Sequence, residues 1–231
     1  MNRKVLKDDA KQAMRAAVVS PYMVTVIMGV ILLILSSVQF FLDLWEEFME
    51  KGIIDSDTNI VLAFGISSAL FYFVNLILST ILQFGYYSYC LKVAARNQNM
   101  SYGDLFSTVR YLLKAVGLVL VMSIFTILWS LLLLIPGIIA SCRYSQAIFI
   151  MAESPDKGIM ECIRESKEMM AGHKWEWFVL GLSFILWDLL GLFTCFLGFI
   201  YVAPYTTVTL ANYYYGLKNN FADFTAWEKA Y

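Results

Sequence analysis

The chain is short of charge: Asp, Glu, Lys and Arg make up 15% of its 231 residues, against about 25% in soluble domains. A water-soluble fold of this length could not hide 60% hydrophobic residues in one core, whereas a bilayer can. Basic and acidic residues nearly balance, 17 against 18, and the lack of a cationic excess argues against a nucleic-acid partner. Histidine occurs once, as His173 in Gly172-His173-Lys174-Trp175, a helix-end setting where it caps carbonyls or meets lipid headgroups. No GxSxG, HExxH, Walker loop or GxGxxG turn is present, so no enzymatic activity is expected. Cys90, Cys142, Cys162 and Cys195 form no CxxC pair and no metal spacing. Three sit in apolar runs as small hydrophobes and Cys162 in a polar helix; neither a disulfide framework nor a metal or other cofactor is expected.

What the chain has is long apolar runs. A span needs about 20 mostly apolar residues. Tyr22 to Leu42 carries no charge and is too long for a signal-peptide core, with no small-x-small site after it; it reads as a retained first span. Ile60 to Leu91, Val116 to Ile135 (ended by Pro136-Gly137), Ile138 to Ala152, Trp177 to Ile200 and Pro204 to Leu217 follow. The fourth and sixth are under-length. The expected fold is all-α, a polytopic transmembrane bundle of about six spans, forming one domain over 1–231.

Charge sets the orientation. All but Lys51 and Arg143 of the 17 basic residues fall before the first, third and fifth spans or after the sixth. Asp43 to Asn59, by contrast, carries Asp43, Glu46, Glu47, Glu50, Asp55 and Asp57. Positively charged loops stay cytoplasmic, so both termini are expected in the cytoplasm of a cell-membrane protein, with 43–59 as an acidic outer loop.

The chain also reads as three units, 1–97, 98–153 and 154–217, with a tail over 218–231. Each would be a cytoplasmic amphipathic helix, a span and a returning span. In the second unit Leu105, Phe106, Val109, Leu112, Leu113 and Val116 recur at helical spacing, and Ser101 with Asp104 resembles a capping box. In the third, Ser154 and Pro155 suggest an N-cap and first-turn proline ahead of Ile159, Met160, Ile163 and Met170. Leu6, Ala10, Ala13, Met14 and Ala17 form the stripe of the first. Such helices are expected in the headgroup plane, basic face outward. The returning spans share Tyr87-Ser88, Tyr144-Ser145 and Tyr205-Thr206. The tyrosines at 86, 87 and 89 and at 213–215 are expected in an interfacial aromatic belt.

Polar groups at membrane depth are the candidate site. A charge at the bilayer centre costs about 2.5–3.5 kcal/mol on insertion scales, so Asp188, near the middle of the fifth span, and Arg143, near the start of the fourth, are expected to pair. Asn75, Gln83, Gln146 and Asn212 are amides within apolar runs, expected to act as interhelical hydrogen-bond glue. Membrane lipids are the expected partners, with a membrane protein or a second copy of the chain as further candidates.

Finally, Ile135-Pro136-Gly137-Ile138-Ile139, Tyr144, Ala152-Glu153-Ser154-Pro155, Arg164-Glu165-Ser166-Lys167 and Met170-Ala171-Gly172-His173-Lys174-Trp175 resemble the signature of domain-of-unknown-function family 975. These are integral membrane proteins of mainly Gram-positive bacteria. The likeness continues through Phe178, Gly181, Leu182, Pro204-Tyr205 and Leu210-Ala211-Asn212. More loosely, the organisation is similar to the membrane domain beside some glycerophosphodiester phosphodiesterases, which implies a lipid-related setting. The resemblance implies a multi-span helical fold and carries no activity.

Overall fold

The structure, a computed structural model, describes residues 3–52, 58–132, 134–194 and 198–230. Cys195, Asp55 and Asp57 lie outside them. In chain order the elements are α1 (Arg3–Ala16), α2 (Pro21–Glu50), α3 (Thr58–Ala94), the 3-10 helix η1 (Tyr102–Tyr111), α4 (Leu112–Leu132), α5 (Leu134–Tyr144), α6 (Ala147–Glu153), α7 (Ile159–Met169), α8 (Lys174–Phe193) and α9 (Phe199–Ala230). Hydrocarbon offers backbone groups no hydrogen-bond partner, so helices are the economical solution.

Among the described residues five helical stretches are long and apolar enough to cross a bilayer: Pro21–Glu50, Asn59–Ala94, Tyr102–Leu131, Ile135–Glu153 and Lys174–Phe193. Several boundaries move from the sequence reading. Asp43 to Glu50, expected as loop, continues α2. The fifth span ends at Phe193. Pro136 and Gly137 sit in the first turn of α5, where a proline lacks only an N–H that has no partner anyway. The fourth span breaks at Ser145 and Gln146 into α5 and α6.

The sixth apolar segment, Pro204 to Leu217, is the first part of α9, and it faces protein. Val202, Tyr205, Val208, Thr209, Ala211, Tyr213, Tyr214 and Leu217 are all buried. Tyr201 stacks on Tyr22 in the first turn of α2 (5.8 Å between centroids). Tyr214, thirteen residues on, stacks on Phe149 (5.9 Å), which meets Tyr87 of α3 (5.4 Å). Thr25 and Tyr86, 3.0 Å apart, put those parts of α2 and α3 at one depth, so α9 leans across the basic-side ends of both. A helix walled by neighbours can carry tyrosines, threonines and Asn212 where a lipid-facing one cannot.

The three basic segments do not behave alike. α1 buries Leu6, Ala10, Ala13 and Met14 and runs antiparallel along α9, with Lys11 over the Tyr205 ring and Asp9 bonded to Asn212. α7 buries Cys162, Ile163, Ser166 and Met169 and runs along α4 in the same direction, Ile159 beside Gly117 and Lys167 near Phe125. The buried part of each apolar stripe packs on protein, with Met160 of α7 left exposed. η1 turns more of its stripe outward. Leu105 is buried, while Phe106 and Val109 are exposed. Its cap is as expected: the Ser101 hydroxyl accepts from the Gly103 N–H (3.2 Å) and the Asp104 carboxylate from the Ser101 N–H (3.0 Å). Ser154 is instead the C-cap of α6, and α7 starts four residues after Pro155 behind Gly158.

η1 crosses α3 closely enough that a Cβ on Gly85 would lie 1.9 Å from the Leu105 carbonyl oxygen. Gly85→Ala should therefore lower stability by about 1–3 kcal/mol, the usual cost of overpacking. Gly29→Ala, where nothing lies within 4 Å, should be neutral or slightly stabilising. Thermal unfolding of both variants in the same detergent checks the contrast, and equal melting points would refute the close crossing.

Candidate functional site

The core gathers where the basic segments are. α3, α6 and α9 meet through Phe84, Tyr87, Phe149, Tyr214 and Tyr215 in edge, stacked and tilted contacts of 5.4–6.4 Å. Tyr86, Tyr89, Tyr213 and Tyr214 are buried, so these tyrosines are core and not a lipid-facing belt. Their hydroxyls explain the choice of residue. Tyr89 donates to the Val19 carbonyl (2.8 Å), Tyr213 to the His173 carbonyl (3.2 Å) and Tyr214 to the Glu153 carboxylate (2.5 Å). Each ring fills space and its tip ties two chain segments.

Three polar clusters hold the same region. Asp9 of α1 accepts from Arg96 (2.7 Å) and from the Asn212 amide (3.0 Å), tying α1 to the end of α3 and to the middle of α9. Arg96 takes the left-handed position after α3 (φ 53°), where glycine is usual and other residues carry about 1–2 kcal/mol of strain. Glu153 accepts from Tyr214 and from Lys218 (2.6 Å). Ser166 of α7 donates to the Arg143 carbonyl (2.7 Å) and accepts from the Gln146 N–H (3.2 Å). One side chain of a basic-side helix thus satisfies both backbone groups exposed by the break in the fourth span.

Lysines of α1 and α7 reinforce these contacts. The Lys7 ammonium sits 4.2 Å from the Phe184 ring centre and donates to the Ser183 carbonyl. Burial first, then Arg3 and Lys11, hold its pKa below the ordinary lysine value. Lys167 lies 5.4 Å from the Tyr144 ring. His173 has one carboxylate for company, Glu176, 3.2 Å from Nδ1. Among the described residues no group of three or more His, Cys, Asp or Glu side chains could hold a metal ion.

The six polar residues singled out by sequence do not converge. Asn75 donates to the Leu35 carbonyl (3.3 Å), joining α2 and α3. Gln83 is exposed. Gln146 is fully buried, donating to Ser145 (3.0 Å), with Oε1 lacking a protein partner. Asn212 is bound to Asp9. Arg143 and Asp188 form no ion pair. Arg143 lies in the last turn of α5 beside α7, where its charge suits the helix C-terminus. Asp188 is exposed on α8, five residues from its end at Phe193, or about 7.5 Å at ~1.5 Å per residue. With the helix ending early, the carboxylate can reach the interface and needs no partner. Asp9 and Ser166 escaped the sequence reading because nothing in a charged helix marks which polar residue turns inward, and Glu153, the last residue of the apolar α6, because its partners Tyr214 and Lys218 lie more than sixty residues on.

A groove of about 950 Å³ runs along α2 from Thr25 to Ser36 and meets Asn75, Phe199 and Ala203. Its lining is almost wholly apolar. Buried helix-to-helix tyrosines, apolar spans and dispersed polar ties define a multi-span α-helical membrane protein. Residues 130–221 match the model of the family described as "Protein of unknown function (DUF975)", the family that the Ile135 to Trp175 motifs resemble. No curated protein and no solved structure matches the chain, and nothing supports the looser likeness to the phosphodiesterase-associated domain.

Two substitutions probe this arrangement. Asp188→Asn should change stability by less than about 0.5 kcal/mol, and Arg143→Asp with Asp188→Arg should show no mutual rescue in melting experiments; rescue would reinstate the pair. Ser166→Ala should cost about 1–3 kcal/mol, because a buried donor and acceptor lose their partner. Faster hydrogen exchange at the Gln146 amide should accompany it, and exchange unchanged from the parent would refute the role given to Ser166.

Proposed function

We propose that this protein is a non-enzymatic accessory or scaffold component of the cell membrane. It engages lipid or a membrane partner through its helical bundle and basic-side helices, with both termini in the cytoplasm. One observation carries the reading: among the described residues Asn75, Gln83, Asn212 and Asp188 occupy separate places, Arg143 and Gln146 meet only at the break in the fourth span, and none of the described cavities is lined by more than one of the six. A transported polar solute needs such side chains gathered around a wet path. Here Asn75 ties α2 to α3 and Asn212 ties α9 to α1, and the large groove between α2 and the start of α9 is apolar. That surface suits acyl chains or another span better than a hydrated solute. The strong bias of lysine and arginine to one side supports the orientation.

Mass spectrometry of the full chain purified in mild detergent should find a stoichiometric lipid or a second membrane protein retained through purification. A polar small molecule bound near Arg143 or Asp188, or turnover of added lipid, would sink the reading.

A further inference from the structure

We propose that η1 and the first turn of α4 form a headgroup site for an anionic phospholipid, with Arg110 and Lys114 as its phosphate-binding cations. The proposal rests on the accessory reading above and names the lipid chemistry that it engages.

The starting point is a contrast among the three basic segments. α1 and α7 spend most of their apolar stripes on the bundle. The second segment turns its own outward: Phe106, Val109 and Leu113 are 48%, 57% and 88% exposed. Residues that apolar are not left to water at the foot of a membrane-length helix. They belong at the boundary between headgroups and acyl chains, where amphipathic segments bind with cationic groups alongside.

The cations are in place. A cleft of about 740 Å³ is lined by Val109, Arg110, Leu113, Lys114, Pro155 and Asp156, among others. Arg110 is exposed, and among the described residues neither Arg110 nor Lys114 makes an ion pair. The Lys114 ammonium donates to the Pro155 and Asp156 carbonyls (3.0 and 3.2 Å), which pins the cleft wall and leaves the positive charge without a carboxylate counter-ion. Two cations against the single Asp156 carboxylate leave the cleft net positive. An arginine fork matches a phosphate's oxygens in geometry as well as charge.

The platform is rigid on its other face. Leu105 is buried against α3 at Gly85, Lys92 pairs with Asp104 at 2.8 Å, and the Ser101–Asp104 cap fixes the start of η1. Little ordering cost therefore remains when a headgroup binds. The exposed apolar flank decides between sources of the phosphate: a soluble anion has no use for Val109 and Leu113, whereas a phospholipid covers them with its glycerol and upper acyl chain.

The test is native mass spectrometry of the full chain in mild detergent, titrated in parallel with phosphatidylglycerol, phosphatidylcholine and inorganic phosphate. Phosphatidylglycerol should be retained in preference to phosphatidylcholine. Arg110→Gln, which removes the charge of an exposed side chain, should weaken phosphatidylglycerol retention about tenfold, the loss of one charge-assisted contact, and leave phosphatidylcholine unchanged. Leu113→Ser should weaken it too, as a second variant that leaves both cations. Equal retention of the two lipids, an unaffected Arg110→Gln protein, or displacement of the lipid by inorganic phosphate at equal concentration would each overturn the site. Those failures leave the accessory reading standing, whereas lipid turnover or solute uptake in proteoliposomes would overturn that reading without touching this site.

Discussion

Three rings, Tyr87, Phe149 and Tyr214, join the three returning helices α3, α6 and α9, and the rest of the bundle is arranged around that contact. Aromatic pairs of this kind contribute about 0.5–1.5 kcal/mol each beyond the area they bury. Their larger effect is positional, since they bring together three segments far apart in the chain. Once α3, α6 and α9 meet there, each packs chiefly on a different amphipathic helix: α3 on η1, α6 on α7 and α9 on α1. The first two pairings join neighbours in sequence. The third brings the first helix to the last and closes the ring of helices on itself, with Asp9 holding Arg96 and Asn212 at the seam.

Much of this was legible in the sequence. Apolar run length located the first five spans, because hydrocarbon imposes one demand on every exposed residue and composition records it. The Ser101–Asp104 cap was legible for a similar reason: its chemistry is local and sits within four residues. The boundaries were less so. Asp43 to Glu50 is as charged as a loop yet continues α2 as helix, since acidic residues beyond the hydrocarbon do not oppose helix formation.

The polar residues were legible as a set and not as partners. Asn212 stood out as an amide in an apolar run, but Asp9 is 203 residues away in a helix with many other charges. Arg143 and Asp188 looked like a pair because both were counted from span ends that the structure moves. An α8 that ends at Phe193 leaves Asp188 five residues from a helix end, and a break after Tyr144 turns an arginine expected near the outer turn into one beside a basic-side helix. Pairing arguments at membrane depth are only as good as the helix ends they are measured from.

The same reasoning explains why α9 was misjudged by hydropathy and why that bears on function. Its tyrosines, threonines and Asn212 read as a poor span because hydropathy assumes lipid on every side. Over 202–217 α9 is walled by protein, and Tyr213, Tyr214 and Asn212 use their polar groups in hydrogen bonds to other segments. Many of the polar ties between helices thus lie at the basic end. Facing outward are apolar surface on α2, α3 and α8 and the cationic, apolar-flanked foot of α4. A molecule built this way meets its membrane through its exterior, and its chemistry of recognition is to be sought there.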